Sequence, residues 1–240
     1  MLSAPFLTCR SLLTALVMST GCALAGPVWA GGQVEEPLAD SVRTALSAAV
    51  GKAAPPEPVF FDDSQKQVFD RWLLTSDDRL VRKKPEQLVR REFLQTVWYE
   101  AKRAGLDPGL VMGLIEVESG FRKYAISPVG ARGYMQVMPF WSRSIGDGDA
   151  SSLFHMQTNL RFGCVILRHY LDVEKGNLFL ALGRYNGSRG RAEYPNAVTA
   201  AWRRWQVPDA ASMRIADRVP WPVRGGTEPD RSGVYLLNWP

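Results

Sequence analysis

The stretch Asp107-Pro108-Gly109-Leu110-Val111-Met112-Gly113-Leu114-Ile115-Glu116-Val117-Glu118-Ser119-Gly120-Phe121 decides how this chain is read. Asp followed by Pro is an N-cap with proline at the first helical position, and the helix it opens runs to about Ser119-Gly120. Two carboxylates lie on that helix, two residues apart, so they point in different directions. Glu118 has Val111, Leu114 and Ile115 at i−7, i−4 and i−3, which puts it on the apolar stripe. Glu116 has Met112, Gly113 and Gly109 behind it, a thinner lining that suits a surface residue or local ion-pair partner. A carboxyl on an apolar stripe costs free energy unless it is neutral or paired. Desolvation raises its pKa and keeps a proton available near neutrality, as a general acid requires. Spacing alone also allows a Glu118 at the stripe's edge, or one paired with an arginine and inert.

Outward from this helix the chain reads as mostly helical. Upstream, Pro85 opens a helix with Val89, Phe93, Val97, Ala101 and Ala104 on one stripe, stopped by Gly105. Before it, Asp62-Asp63-Ser64 caps a helix carrying Val68, Phe69, Trp72 and Leu73. The basic run Arg79, Arg82, Lys83, Lys84, Arg90 and Arg91 reads as a solvated helix face plus loop. Downstream, 127–139 is a Gly- and Pro-rich loop with a short hairpin around 134–137. Helices are expected at 140–145, 158–174, 178–185 and 192–205. The fold class is therefore mainly α, a helical domain with a small irregular β element.

The chain has 240 residues, of which 46% are hydrophobic and 22% charged, enough for one packed domain with an appendage. Arg10 is the single charge before an apolar run that ends in Val28-Trp29-Ala30, so residues 1–30 read as a cleaved signal peptide. The apolar core is shorter than the roughly 20 residues of a spanning helix. Ser19-Thr20-Gly21-Cys22 resembles a lipidation box only weakly, because Ser19 stands where a bulky aliphatic belongs, so lipid attachment at Cys22 is the lesser reading. Cleavage leaves Cys164 as the one cysteine, inside an apolar run, and no intrachain disulfide. Export to the periplasm removes nucleic acid as the reason for the net charge of +5 and leaves wall glycans and lipid head groups as anionic partners. Residues 31–60 read as a Pro/Ala-rich linker with one short helix, 61–92 as an N-terminal helical segment, 93–206 as the main domain, and 207–240 as a Pro- and Trp-containing tail.

A series of motifs then follows in one order. Glu118-Ser119-x-Phe121 precedes Ala125-x-Ser127-x-x-Gly130-Ala131-x-Gly133-Tyr134-Met135-Gln136-x-Met138-Pro139. Next come Asn159, Gly163 and Tyr170-Leu171, then Ala181-Leu182-x-x-Tyr185-Asn186-Gly187, and finally Tyr194-Pro195-x-x-Val198. The series resembles the soluble lytic transglycosylase (SLT) domain family, which is lysozyme-like, over roughly 93–202. The resemblance makes 93–206 the catalytic domain and implies Glu118 as the catalytic acid. Gln136 would bond a sugar N-acetyl group and Met135 would supply apolar contact. Ser127 would bond substrate or tie down its loop. Tyr185 and Asn186 would line the cleft, Tyr194 would orient the carboxyl, and Asn159 would bind or cap the long helix. The family's Gly-Leu-Met-Gln has Tyr134 in place of Leu. The usual Ala-Gly-Pro after Tyr-Asn is replaced by Gly187-Ser188-Arg189-Gly190.

The implied reaction is non-hydrolytic cleavage of peptidoglycan glycan strands by a monomer that needs no metal and no organic cofactor; cell-envelope assembly machinery is a further partner class. Two other readings stand beside it. A hydrolytic muramidase would use a second carboxylate, with Asp147, Asp149 and Glu193 as candidates outside any motif. A scaffold protein of an envelope-spanning machine would keep the fold without the chemistry. A metal hydrolase built on His155, His169 and Cys164 lacks any metal-ligand spacing.

Overall fold

A computed structural model describes residues 33–51, 60 and 62–207. The expected signal peptide, the core of the linker and nearly all of the tail lie outside the described residues. Within them are α1 (Asp40–Val50), α2 (Asp63–Leu80), α3 (Gln87–Arg103), α4 (Pro108–Ser119), α5 (Pro139–Ile145), a 3-10 turn (Ala150–Phe154), α6 (Met156–Val173), α7 (Leu178–Asn186) and α8 (Glu193–Trp205). The β element consists of two isolated antiparallel bridges, Ile126 with Arg132 and Arg132 with Val137. The chain is thus mainly helical with a small irregular β element, as the sequence led one to expect.

Local chemistry sets the helix ends. Asp62 accepts from Gln65 N at 2.8 Å and opens α2, Asp107 accepts from Leu110 N at 2.9 Å and opens α4, and Asn177 accepts from Leu180 N at 3.1 Å and opens α7. Left-handed Gly120 and Gly187 close α4 and α7.

The core is built around α4, which is buried along nearly its whole length. α8 lies directly against it. The approach is so close that a Cβ at Gly113 would fall 2.5 Å from Trp202 N. Gly109, one turn earlier, meets the Trp205 carbonyl in the same way. α3 and α6 are joined through a buried ion pair: Arg161 Nε and Nη2 donate to Glu100 Oε1 at 3.0 and 2.8 Å.

The structure corrects the sequence reading in three places. Val68 and Val89 are exposed, because the buried face of α2 is Phe69, Trp72, Ser76 and Leu80, and α3 buries Phe93, Leu94, Val97 and Ala101. The helix assigned to Pro85 starts at Gln87, since the carbonyls of Lys84 and Pro85 turn away to accept from Arg90 Nη1 at 2.8 and 3.0 Å. The basic run is not one solvated face. Arg90 is buried and its Nε and Nη2 clasp Asp77 at 2.7 and 2.8 Å, and Lys84 is buried against aromatic rings. The short helix expected within 31–60 is α1, which packs against α5 and α6, with Trp141 Nε1 donating to Gln33 Oε1 at 2.8 Å and Arg103 Nη2 donating to the Ala49 carbonyl.

Candidate active site

Glu118 stands in the last turn of α4 and is 6% exposed. Tyr194, in the first turn of α8, donates its hydroxyl to Glu118 Oε1. Glu118 Oε2 is buried and has no hydrogen-bond partner among the described residues. Burial pushes the carboxyl up to about 8, against the opposing pull of the Tyr194 hydrogen bond. Tyr194 itself is raised well above the usual phenol range, by burial and by the Glu118 charge. Tyr185 is raised too, again by burial first and the Glu118 charge second. Glu116 takes the other course, accepting from Arg204 Nη2 at 2.9 Å and Trp205 Nε1 at 2.6 Å at the surface of α8.

The turn at 133–136 is held from three helices. Ser119 Oγ of α4 donates to the Tyr134 carbonyl at 2.7 Å. Asn159 Oδ1 of α6 accepts from Met135 N at 2.8 Å, and its Nδ2 donates to the Arg132 and Leu153 carbonyls at 2.8 Å each. Tyr185 Oη of α7 donates to the Met135 carbonyl at 2.8 Å. Gly133 is required here twice over, by φ +74° and by Asn159, whose Nδ2 would lie 2.4 Å from a Cβ. Gln136 adopts φ 48°, a left-handed conformation that costs a non-glycine residue roughly 1–2 kcal/mol. Its side-chain Nε2 donates to the Gly133 and Ala125 carbonyls at 2.9 and 3.1 Å, which holds that conformation.

The residues singled out from the sequence therefore fall into groups. Glu118 and Tyr194 are in contact, and Tyr185, Met135 and Gln136 converge on the turn beside α4. Met135 is fully buried over Gly163, where a Cβ would lie 2.3 Å from its Sδ, so its side chain packs into the core. Ser127 Oγ accepts from Ala131 N at 3.0 Å and closes its own loop. Asn186 donates to Ser188 Oγ at 3.0 Å, and its Oδ1 is buried without a partner among the described residues. Asn159 does not cap α6, whose N-cap is His155; it pins the 133–136 turn instead.

The three candidate second carboxylates are all exposed. Asp149 accepts from Ser151 N and Oγ at 2.7 and 2.8 Å, and Asp147 accepts from Asp149 N at 2.9 Å. Cys164 is buried in α6, and burial pushes its thiol well up. Among the described residues no group of three His, Cys, Asp or Glu side chains could hold a metal ion.

Sequence reading missed Lys84. Its Nζ donates to Tyr134 Oη at 2.6 Å and stands 4.8 and 4.4 Å from the ring centroids of Phe93 and Tyr134. Burial, aided by the charge of Lys123, lowers it to about 8. A lysine within a basic run carries no local sign of burial.

Residues 95–205 match the family model described as the transglycosylase SLT domain, the family to which the motif series pointed. The chain is 47% identical over 133 residues to membrane-bound lytic murein transglycosylase C of Glaesserella parasuis, covering 53% of this chain and 34% of that protein. It is 38% identical over 85 residues to the protein of the same name from Actinobacillus pleuropneumoniae, covering 32% and 23%. It is 31% identical over 103 residues to the transglycosylase of Enterobacteria phage PRD1, covering 43% and 37%. The chain thus spans between about a quarter and two fifths of the length of these curated relatives. Among solved structures, an inactive mutant of the lytic transglycosylase Slt from Pseudomonas aeruginosa aligns with a TM-score of 0.37 at 27% identity, over 46% of this chain and 21% of that one.

Proposed function

We propose that this chain is a peptidoglycan lytic transglycosylase, which cleaves the β-1,4 bond between N-acetylmuramic acid and N-acetylglucosamine without water and leaves 1,6-anhydro-muramic acid ends. The observation that carries the reading is a buried carboxyl with one oxygen bonded by a phenol and the other unengaged among the described residues. Because Oε1 accepts the Tyr194 proton, the carboxyl's own proton belongs on Oε2. That proton passes to the glycosidic oxygen as the bond breaks. Positive charge develops at the muramic C1 and is relieved by the sugar's own N-acetyl oxygen. Glu118, now ionised and still bonded by Tyr194, takes the proton of the 6-hydroxyl as that oxygen closes on C1. One carboxyl serves as acid and then as base because the nucleophile is part of the same sugar. The Gln136 amide nitrogen is committed to two carbonyls, which leaves its oxygen for a sugar N–H; Asn186 Oδ1 is a second acceptor. The chain acts in the periplasm after removal of residues 1–30. Among the described residues no helix is long and apolar enough to cross a membrane.

The test is the mass spectrum of products from purified sacculi. Anhydro-muropeptides are expected. Products heavier by one water would mark a muramidase, and binding without solubilisation a scaffold. Glu118→Gln is expected to abolish release while leaving sacculus binding, and Glu116→Gln to stay within about twofold of wild type. Equal losses in the two variants would put the acid elsewhere.

A further inference from the structure

Lys84 lies outside the stretch that matches the family model, in the corner between α2 and α3, yet it reaches the 133–136 turn. The corner is tied by hydrogen bonds. Lys83 N and Lys84 N both donate to the Leu80 carbonyl at 2.9 Å, and Arg90, clasped by Asp77, donates to the carbonyls of Lys84 and Pro85. The ammonium it presents is 9% exposed as a residue and has no carboxylate within ion-pair distance among the described residues. Its contacts are the Tyr134 hydroxyl and the faces of Phe93 and Tyr134. A cation buried in this way is held by ring faces and by a neutral acceptor, and the acceptor and one of the two faces would be lost with Tyr134. Tyr134 stands where the family that the motif series resembles has leucine, so a charged strut occupies a position that an apolar side chain would fill by packing alone.

The backbone of that same residue receives Ser119 Oγ, the neighbour of Glu118, and the backbone of the next is fixed by Asn159 and Tyr185. We infer that Lys84 is a positioning residue: through Tyr134 it clamps the 133–136 turn, and with it Gln136, against the Glu118 end of α4, which makes the α2–α3 corner part of the working enzyme. The catalytic consequence rests on the transglycosylase reading; the clamp itself does not.

The experiment uses the full chain as wild type, Lys84→Met, Tyr134→Phe, Tyr134→Leu and the double variant Lys84→Met/Tyr134→Leu. Amide hydrogen exchange is measured at Met135, Gln136 and Val137, whose N–H groups are bonded to Asn159, Gly133 and Arg132. In Lys84→Met, protection there is expected to fall about tenfold while α6 and α8 keep theirs. Release of anhydro-muropeptides is expected to lose about tenfold in kcat with KM within twofold. The double variant is expected to recover most of the loss seen in Tyr134→Leu, because it removes the ammonium that the single variant strands. Unchanged exchange at the turn in folded Lys84→Met and Tyr134→Phe would overturn the clamp. Raised exchange with unchanged kcat would overturn its role in the reaction. A wild type that releases no anhydro product, with exchange at the turn still raised in Lys84→Met, would overturn the transglycosylase reading and leave the clamp standing.

Discussion

At Glu118 the same burial that suits the carboxyl to acid catalysis weighs on the folded state. Its native pKa is about 8 and its unfolded value near 4.5, so between those pH values the native chain holds a proton that the unfolded chain has lost. Stability therefore falls as pH rises across that window, at about 1.4 kcal/mol per pH unit. Denaturant titrations of wild type and Glu118→Gln between pH 5 and 8 are expected to diverge with this sign, the glutamine variant gaining on wild type as pH rises. Activity is expected to fall on the alkaline side of about pH 8, as the acid ionises. Tyr194→Phe removes the hydrogen bond that favours the carboxylate, so the alkaline limb should move to higher pH while kcat drops by about tenfold or more. A pH–rate profile of that variant checks both outcomes at once.

At the scale of elements, the site exists because α4 and α8 lie close enough for a phenol on one to reach a carboxyl on the other. Gly113 sets that distance, since any Cβ there meets the backbone of Trp202. Gly113→Ala is expected to cost about 1–3 kcal/mol in a thermal or chemical melt. It should also cost activity beyond that, because the shift of α8 carries Tyr194 away from Glu118. Asn159 does comparable work for the turn. Asn159→Ala takes this partner from Met135 N and the Leu153 carbonyl, while the Arg132 carbonyl still accepts from Val137 N, at about 1–3 kcal/mol for each group left buried and dry. Urea unfolding of Asn159→Ala beside Asn159→Asp, which retains the acceptor for Met135 N, separates the share owed to that one bond.

Over the whole molecule, buried charge ties the layers together. Glu100 on α3 receives Arg161 from α6 and Arg103 from its own helix, so the face of α3 turned away from α2 is joined to the helix that carries Asn159. Glu100→Gln is expected to destabilise the chain by about 3–5 kcal/mol, which for a domain of this size lowers the thermal midpoint by roughly 10 °C. Calorimetry checks this directly. On the other flank the α2–α3 corner brings a lysine to the 133–136 turn, and α1 packs across α5 and α6.

The sequence by itself determined the helices and the face on which Glu118 stands. Caps and stops such as Asp107-Pro108 and Gly120 act over one turn, and the position of Glu118 four and three residues after Leu114 and Ile115 fixes its face. Both are local consequences of helical geometry, which is why the ends of α4 and the separation of Glu118 from Glu116 could be read directly. Only the tertiary structure decided which polar groups are paired. Lys84 and Arg90 looked like solvent-facing members of a basic run, and Asn159 like a binding or capping residue, because their partners lie 50, 13 and 24 residues away in the chain. Burial of a charge depends on what long-range packing brings to it, and no short-range periodicity carries that information.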